Sequence, residues 1–352
     1  MPSMVSVRTF PNEHYMKRLR NILILSALFV AGVAHAQSIG TGVDPVQYII
    51  APETPGPHEK VDITVQGVGT FLGDSSVTWS VNGAIAKQGT GASEFSFITG
   101  NLGQQTTVRL TINSATQGVI THLFTFIPST VNLVWEADTS VPPLYKGHAL
   151  YTPGSTLKVI AFPTVIVSGR KVAAESLSYQ WTINDNPVPA SSGTGKTTLS
   201  FTGDQLNDGE SVAVDVYFGS LKVGRGELTI PAAQPQIYFY NKDALRGIVW
   251  DQAVPSAIAL NANEITLFAQ PYYFANNGQW SWNWILGTST FTGPDTSRGL
   301  VTLVLKDGTR GSTVLSAALQ NLSGTQLVQS AQAAVSIVIG TRRSGISSFF
   351  GI

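Results

Sequence analysis

The chain has no cysteine, which excludes disulfides as a source of stability. Charge is scarce as well: Asp, Glu, Lys and Arg make up 12% of 352 residues, and acids and bases balance at 21 each. With no net sign there is no basic field to draw nucleic acid and no acidic one to draw cations. Past residue 36 the only histidines are His58, His122 and His148, and none stands in a Gly-x-Ser-x-Gly or His-Glu-x-x-His frame. Together with thinly spread carboxylates, this predicts no catalytic residues, no metal site and no cofactor. No apolar run after residue 33 approaches the ~20 residues of a bilayer span. What is there is 43% hydrophobic, with 34 Gly and 18 Pro, as suits a folded chain with many turns and few helices. Several domains are expected at this length, each able to bury a core.

The N-terminal part has the three pieces of a secretory signal in order. Met16-Lys17-Arg18-Leu19-Arg20 is a basic n-region, the run from Ile22 to Val33 is apolar, and Ala34-His35-Ala36 offers a small-x-small cleavage pattern before Gln37. Residues 1–36 are therefore read as an N-terminal extension and signal peptide, with Met16 as the expected start and cleavage after Ala36. An uncleaved anchor is the alternative.

Three tryptophans set the rest of the frame. Trp79, Trp181 and Trp284 stand 102 and 103 residues apart. Each has a large apolar residue two positions earlier and a turn-forming residue or pair three to four positions later, the pattern of a period-2 strand running into a turn. Gly89-Thr90-Gly91 leads to Phe95-Ser96-Phe97, and Gly193-Thr194-Gly195 leads to Leu199-Ser200-Phe201. Gly293 leads less faithfully to Leu303. Pro128 and Pro231, which end matching strands, are again 103 residues apart. A repeat of about a hundred residues is the size of an immunoglobulin-like sandwich. The expected fold is all-β, with three tandem antiparallel sandwiches at 41–128, 129–231 and 232–340 and a C-terminal tail at 341–352. Trp79, Trp181 and Trp284 are the expected core residues. Linkers of a few residues predict touching units and a semi-rigid rod.

The Trp strand, its turn, the Gly-Thr-Gly segment and the closing strand resemble tandem immunoglobulin-like or PKD-type domains of uncharacterised exported bacterial surface proteins, over about residues 41–340. The stretch from Trp135 to Thr139 with Pro142-Pro143-Leu144-Tyr145-Lys146-Gly147 resembles a recurrent motif of such proteins. The resemblance implies a surface or envelope role and no reaction.

Four segments invite a site reading. Ala190-Ser191-Ser192-Gly193-Thr194-Gly195-Lys196-Thr197 loosely fits a phosphate loop, but a strand pattern follows where a helix is needed, so a turn and no nucleotide are expected. Trp280, Trp282 and Trp284 alternate along one strand face. Core packing is the first expectation for Trp282 and Trp284. A glycan platform is the second, with Tyr272, Tyr273 and Trp280 as its members. The acidic loop from Asp204 to Glu210 is read as a solvated turn before a Ca²⁺ site, because it lacks regular ligand spacing. Trp135, Tyr145 and His148 lie in an aromatic-rich stretch expected to pack against the neighbouring domain, or else to offer a partner surface. Asn321-Leu322-Ser323 is a glycosylation sequon, which matters only in a glycosylating host.

Taken together, the sequence predicts an exported, non-catalytic structural and interaction protein of the surface or envelope. Its partner would be a protein or glycan at the cell surface, with no nucleic acid and no transmembrane span after signal cleavage. The alternatives are a glycan-binding protein that uses the third unit's aromatics, and an accessory component of a pilus or secretion assembly.

Overall fold

Alternating apolar and polar residues send every second side chain to one face, so such a strand needs cover on one side only. The computed structural model, which describes residues 46–67, 71–260, 262–306, 308–323 and 326–340, meets this need three times over. The expected signal peptide at 1–36 and the expected C-terminal tail at 341–352 lie outside the described residues.

The first seven strands are β1 (Val46–Ala51), β2 (Lys60–Gly67), β3 (Ser76–Val81), β4 (Ala84–Thr90), β5 (Glu94–Ile98), β6 (Thr106–Ser114) and β7 (Gly118–Phe126). They form sheets of order β1-β2-β5 and β4-β3-β6-β7. On β2, Val61, Ile63 and Val65 are buried. On β6, Val108, Leu110 and Ile112 are buried, and all six join one cluster between the two sheets.

The second group is β8 (Thr130–Asp138), β9 (Thr156–Thr164), β10 (Ile166–Val167), β11 (Arg170–Lys171), β12 (Ser178–Ile183), β13 (Asn186–Pro187), β14 (Gly193–Thr194), β15 (Thr198–Thr202), β16 (Gly209–Phe218) and β17 (Leu221–Pro231). One sheet runs β15-β9-β8 and the other β13-β12-β16-β17, with β14 also paired to β12; β10 and β11 form a small ribbon. Val212, Val214 and Val216 on β16 face Leu157, Val159 and Leu199 across a second cluster. The irregular stretch after β8 begins at Thr139. β8 continues in register with β9 through Asp138.

The third group is β18 (Gln236–Asp243), β19 (Gly247–Ile248), β20 (Ala257–Leu260), β21 (Glu264–Tyr272), β22 (Gln279–Leu286), β23 (Ser289–Phe291), β24 (Leu300–Val304), β25 (Gly311–Ser323) and β26 (Gln326–Ile339). Its sheets run β19-β18-β21-β24 and β20-β26-β25-β22-β23. β20 pairs with β26 in parallel, the one departure from antiparallel pairing among the described strands. Nothing in the short Ala257–Leu260 segment signals which direction it would pair.

Candidate functional site

Trp79, Trp181 and Trp284 are each buried to within 1%. Their polar ends follow a common rule. Each indole N–H donates to a backbone carbonyl in the connection leading to the opposite sheet: Trp79 to Ala92 at 2.9 Å, Trp181 to Lys196 at 2.8 Å, Trp284 to Thr296 at 3.0 Å. A buried indole needs such a partner. Trp79 also stacks on Phe95 across the two sheets, with centroids 5.1 Å apart.

This bond explains the Gly-Thr-Gly segment of the second unit. Gly195 has φ +73°, and an added Cβ would lie 3.1 Å from Glu175 O, so the turn needs glycine. The amides a phosphate would need are already committed: Gly195 N–H donates to Leu177 O, Lys196 N–H to Gly193 O and Thr197 N–H to Gly195 O. The chain then continues as strand β15, with no helix N-terminus to meet a phosphate.

The acidic loop is exposed at Asp204, Gln205, Leu206 and Asp208, as a solvated turn would be, and only its last residue, Glu210, turns inward. Glu210 is 1% exposed. Its carboxylate accepts from the Tyr151 hydroxyl at 3.0 Å, from the Asp204 amide at 2.8 Å and from Asn184 Nδ2 at 2.6 Å. Burial, followed by the bond to Glu210, pushes the Tyr151 phenol well above its ordinary value. Among the described residues, no group of three or more His, Asp or Glu is placed to hold a metal ion.

The stretch 139–155 lies against the third sandwich. Ser140 N–H donates to Phe274 O and Tyr273 N–H to Ser140 O, both at 2.7 Å, while Thr139 bridges to Ala275. Tyr273 adopts φ +63°, which turns the chain out of β21 and onto this segment. Thr152 Oγ1 donates to Tyr273 O at 2.7 Å. Gln329 Nε2 donates to Thr152 Oγ1 at 2.7 Å and to Pro153 O at 3.0 Å, and Gln329 Oε1 accepts from Ala275 N at 2.7 Å and Asn321 Nδ2 at 3.2 Å. The sequence offered no cue to Gln329. It marked Asn321 as a glycan acceptor, yet that side chain is 0% exposed and its amide is bonded within the junction. Gly278 is the one hint, since a Cβ there would fall on Asn321 Oδ1.

The expected aromatic surface is divided by this junction. Tyr145 and Tyr273 share a hydrogen bond at 2.9 Å, and Tyr240 and Tyr272 share one at 2.6 Å. Tyr272 is buried, its ring meeting those of Tyr145, Tyr238 and Tyr273 edge-on, so it cannot serve as an open stacking platform. Burial, then the Tyr145 bond, pushes the Tyr273 phenol up to about 12. Trp135 belongs to strand β8 and sits edge-on to His148 at 4.3 Å, packing on its own unit's core. It is Tyr145 that reaches the neighbouring sandwich.

Trp280 lies apart from the tyrosines. It is 39% exposed, and its indole donates to Ala275 O at 3.3 Å. Along β22 exposure falls inward, from Trp280 through half-buried Trp282 to buried Trp284, and the rings of Trp282 and Trp284 stack at 5.6 Å. Trp282, expected in the core, is only half covered there. Its remaining surface lines a cleft of about 560 Å³ with Trp280, Gln270, Asn276, Ser297 and Arg298, and Thr139 and Ser140 close one side. Arg298 ends a single 3-10 turn, Thr296–Arg298. Gly299 follows with φ +80°. A Cβ there would stand 2.8 Å from Ala269 O and 3.3 Å from the Trp282 ring, so glycine lets the turn dock closely on β21 and the indole.

No family profile matches this chain, and no curated protein matches it. Among solved structures it is similar to arrays of related sandwiches. The three N-terminal domains of the bacteriophage RB49 highly immunogenic outer capsid protein match at 11% identity over 84% of this chain and 97% of that one, with a TM-score of 0.25. The central fibronectin type III array of RIM-binding protein matches at 11% identity over 83% and 97%, with a TM-score of 0.29. A Bacteroides ovatus mixed-linkage glucan utilisation protein, SGBP-B, solved with a mixed-linkage heptasaccharide, matches at 12% identity over 85% and 71%, with a TM-score of 0.20. At these scores no functional argument rests on the likeness. The class defined by the strand layout is a tandem all-β sandwich protein of immunoglobulin-like type.

Proposed function

We propose that this chain is an exported structural and interaction protein of the cell surface or envelope, acting through spacing and surface contact, with no catalytic role. The observation that carries this reading is the way adjoining sandwiches are held. Between the second and third, paired backbone bonds at Ser140 fix the contact. Between the first and second, Lys222 bonds Glu53 at 2.7 Å and Asp215 at 3.1 Å. Burial works against the Lys222 charge, but hydrogen bonds to Glu53 and Asp215 more than offset it and hold its pKa above the ordinary lysine value. Gly103 of the first lets Ile166 of the second approach so closely that a Cβ at Gly103 would overlap it. Fixed junctions suit a protein whose task is to hold contact surfaces at set distances.

The test is fractionation of the native host expressing the tagged full chain, with mass spectrometry of its N-terminus. Mature protein beginning at Gln37 in the envelope or medium is expected. Cytoplasmic protein that retains Leu25 and Phe29 would overturn the reading. A second reading, glycan recognition, is favoured by the Trp280–Trp282 cleft.

A further inference from the structure

Most polar groups around the Trp280–Trp282 cleft are already used. Thr139 Oγ1 donates to Leu150 O, Ser140 Oγ bonds Pro271 O and the Phe274 amide, and Asn276 Nδ2 donates to Asp138. Gln270 differs. It is 7% exposed, and its amide nitrogen donates to Pro271 O at 2.6 Å. Its Oε1 accepts no hydrogen bond from the described residues and stays accessible at the cleft. Arg298 is exposed at the cleft edge, and no carboxylate among the described residues lies within ion-pair distance of it. The cleft thus presents two indoles, one acceptor without a donor, and one unpaired guanidinium. Its volume falls in the ~300–1,000 Å³ range of small-ligand sites.

We infer that this cleft binds an acidic saccharide, a glycan containing a hexuronate ring, and the inference rests on the glycan reading above. A pyranose ring presents C–H groups on its faces and hydroxyls around its edge. The C–H face suits the open indole surface of Trp280 and Trp282. An edge hydroxyl supplies the donor that Gln270 Oε1 lacks. A ring carboxylate suits the guanidinium fork, which binds such groups through two parallel bonds. A neutral sugar would leave the Arg298 charge uncompensated. A flat aromatic ligand would leave both polar groups unused.

The test is a glycan array of neutral and uronic acid oligosaccharides probed with the full-length protein, followed by tryptophan fluorescence titration of the best binder. Arg298→Gln, Trp280→Ala and Lys196→Ala variants are compared, each shown to be folded by circular dichroism. Binding confined to uronic acid glycans is expected. Arg298→Gln and Trp280→Ala should each weaken it about tenfold or more, the scale of losing one charge-assisted or stacking anchor, and Lys196→Ala should leave it unchanged. Equal binding of neutral and carboxyl-reduced glycans, unaffected by Arg298→Gln, would overturn the acidic inference and leave the glycan reading standing. No glycan retained by the folded wild type would overturn both, and envelope localisation would still be judged by fractionation alone.

Discussion

Trp181 has no exposed surface, and its indole N–H is committed to Lys196 O. Truncating it removes packing and leaves a carbonyl without its donor. Trp181→Ala is expected to cost ~3–5 kcal/mol, as large core aromatics do. Lys196 contributes its carbonyl to that bond, but its side chain is exposed. Lys196→Ala is therefore expected to change stability by no more than ~0.5 kcal/mol. Urea titrations of the two variants check both values. A large loss at Lys196 would mean that its side chain, and not only its backbone, supports the turn. The contrast separates a residue chosen for its bulk from one whose chemistry suggests a site but whose place in the fold does not use it.

At the scale of elements, the strand carrying each tryptophan ends in one device. Three residues past the Trp stand Asn82, Asn184 and Gly287, with φ of +50°, +48° and +61°. Each donates its amide to the strand beside it: Asn82 to Thr107 O, Asn184 to Ser211 O and Gly287 to Val314 O. Left-handed backbone favours Gly and Asn, so these residue types follow from the turn. Asn184 does most. Its Oδ1 accepts from the Ser211 amide at 2.8 Å, and its Nδ2 donates to buried Glu210 at 2.6 Å. Asn82 has only the first of these bonds, from the Thr107 amide at 2.9 Å. Asn184→Ala should therefore destabilise by roughly 2–3 kcal/mol and Asn82→Ala by about 1 kcal/mol, the difference being one bond to a buried charge. Thermal melts of the two variants should show this order. Equal losses would mean that the Glu210 contact contributes nothing.

For the whole molecule, the question is how independent the sandwiches are. A fragment of residues 129–232 contains a complete cluster, including Trp181, Tyr151 and Ile230. We expect it to be soluble, β-rich by circular dichroism and cooperative in melting, because a unit with its own core can fold alone. It should melt below a fragment of 129–340. The cut strips Ser140 of its partners in Phe274 and Tyr273, Thr152 of Gln329, and Tyr145 of Tyr273. Equal melting temperatures would show that the junction adds no stability. An unfolded 129–232 fragment would show that the core depends on its neighbour.

Period-2 alternation, tryptophan spacing and turn residues are local properties, so the sequence by itself determined the long alternating strands, the turns after Trp79, Trp181 and Trp284, and the all-β class. A buried face and a positive φ constrain residue type one position at a time, which is why both can be read along the chain. The tertiary structure decided what depends on distant segments meeting. Gln329 faces Thr152 only because the closing strand of one sandwich crosses the loop of another. Tyr272 is covered and Trp280 left open because Tyr273 turns the chain onto Ser140 between them. The unpaired Gln270 oxygen and the Arg298 guanidinium share a cleft because β21, β22 and a 3-10 turn converge there. Nothing in the spacing of those residues encodes that meeting.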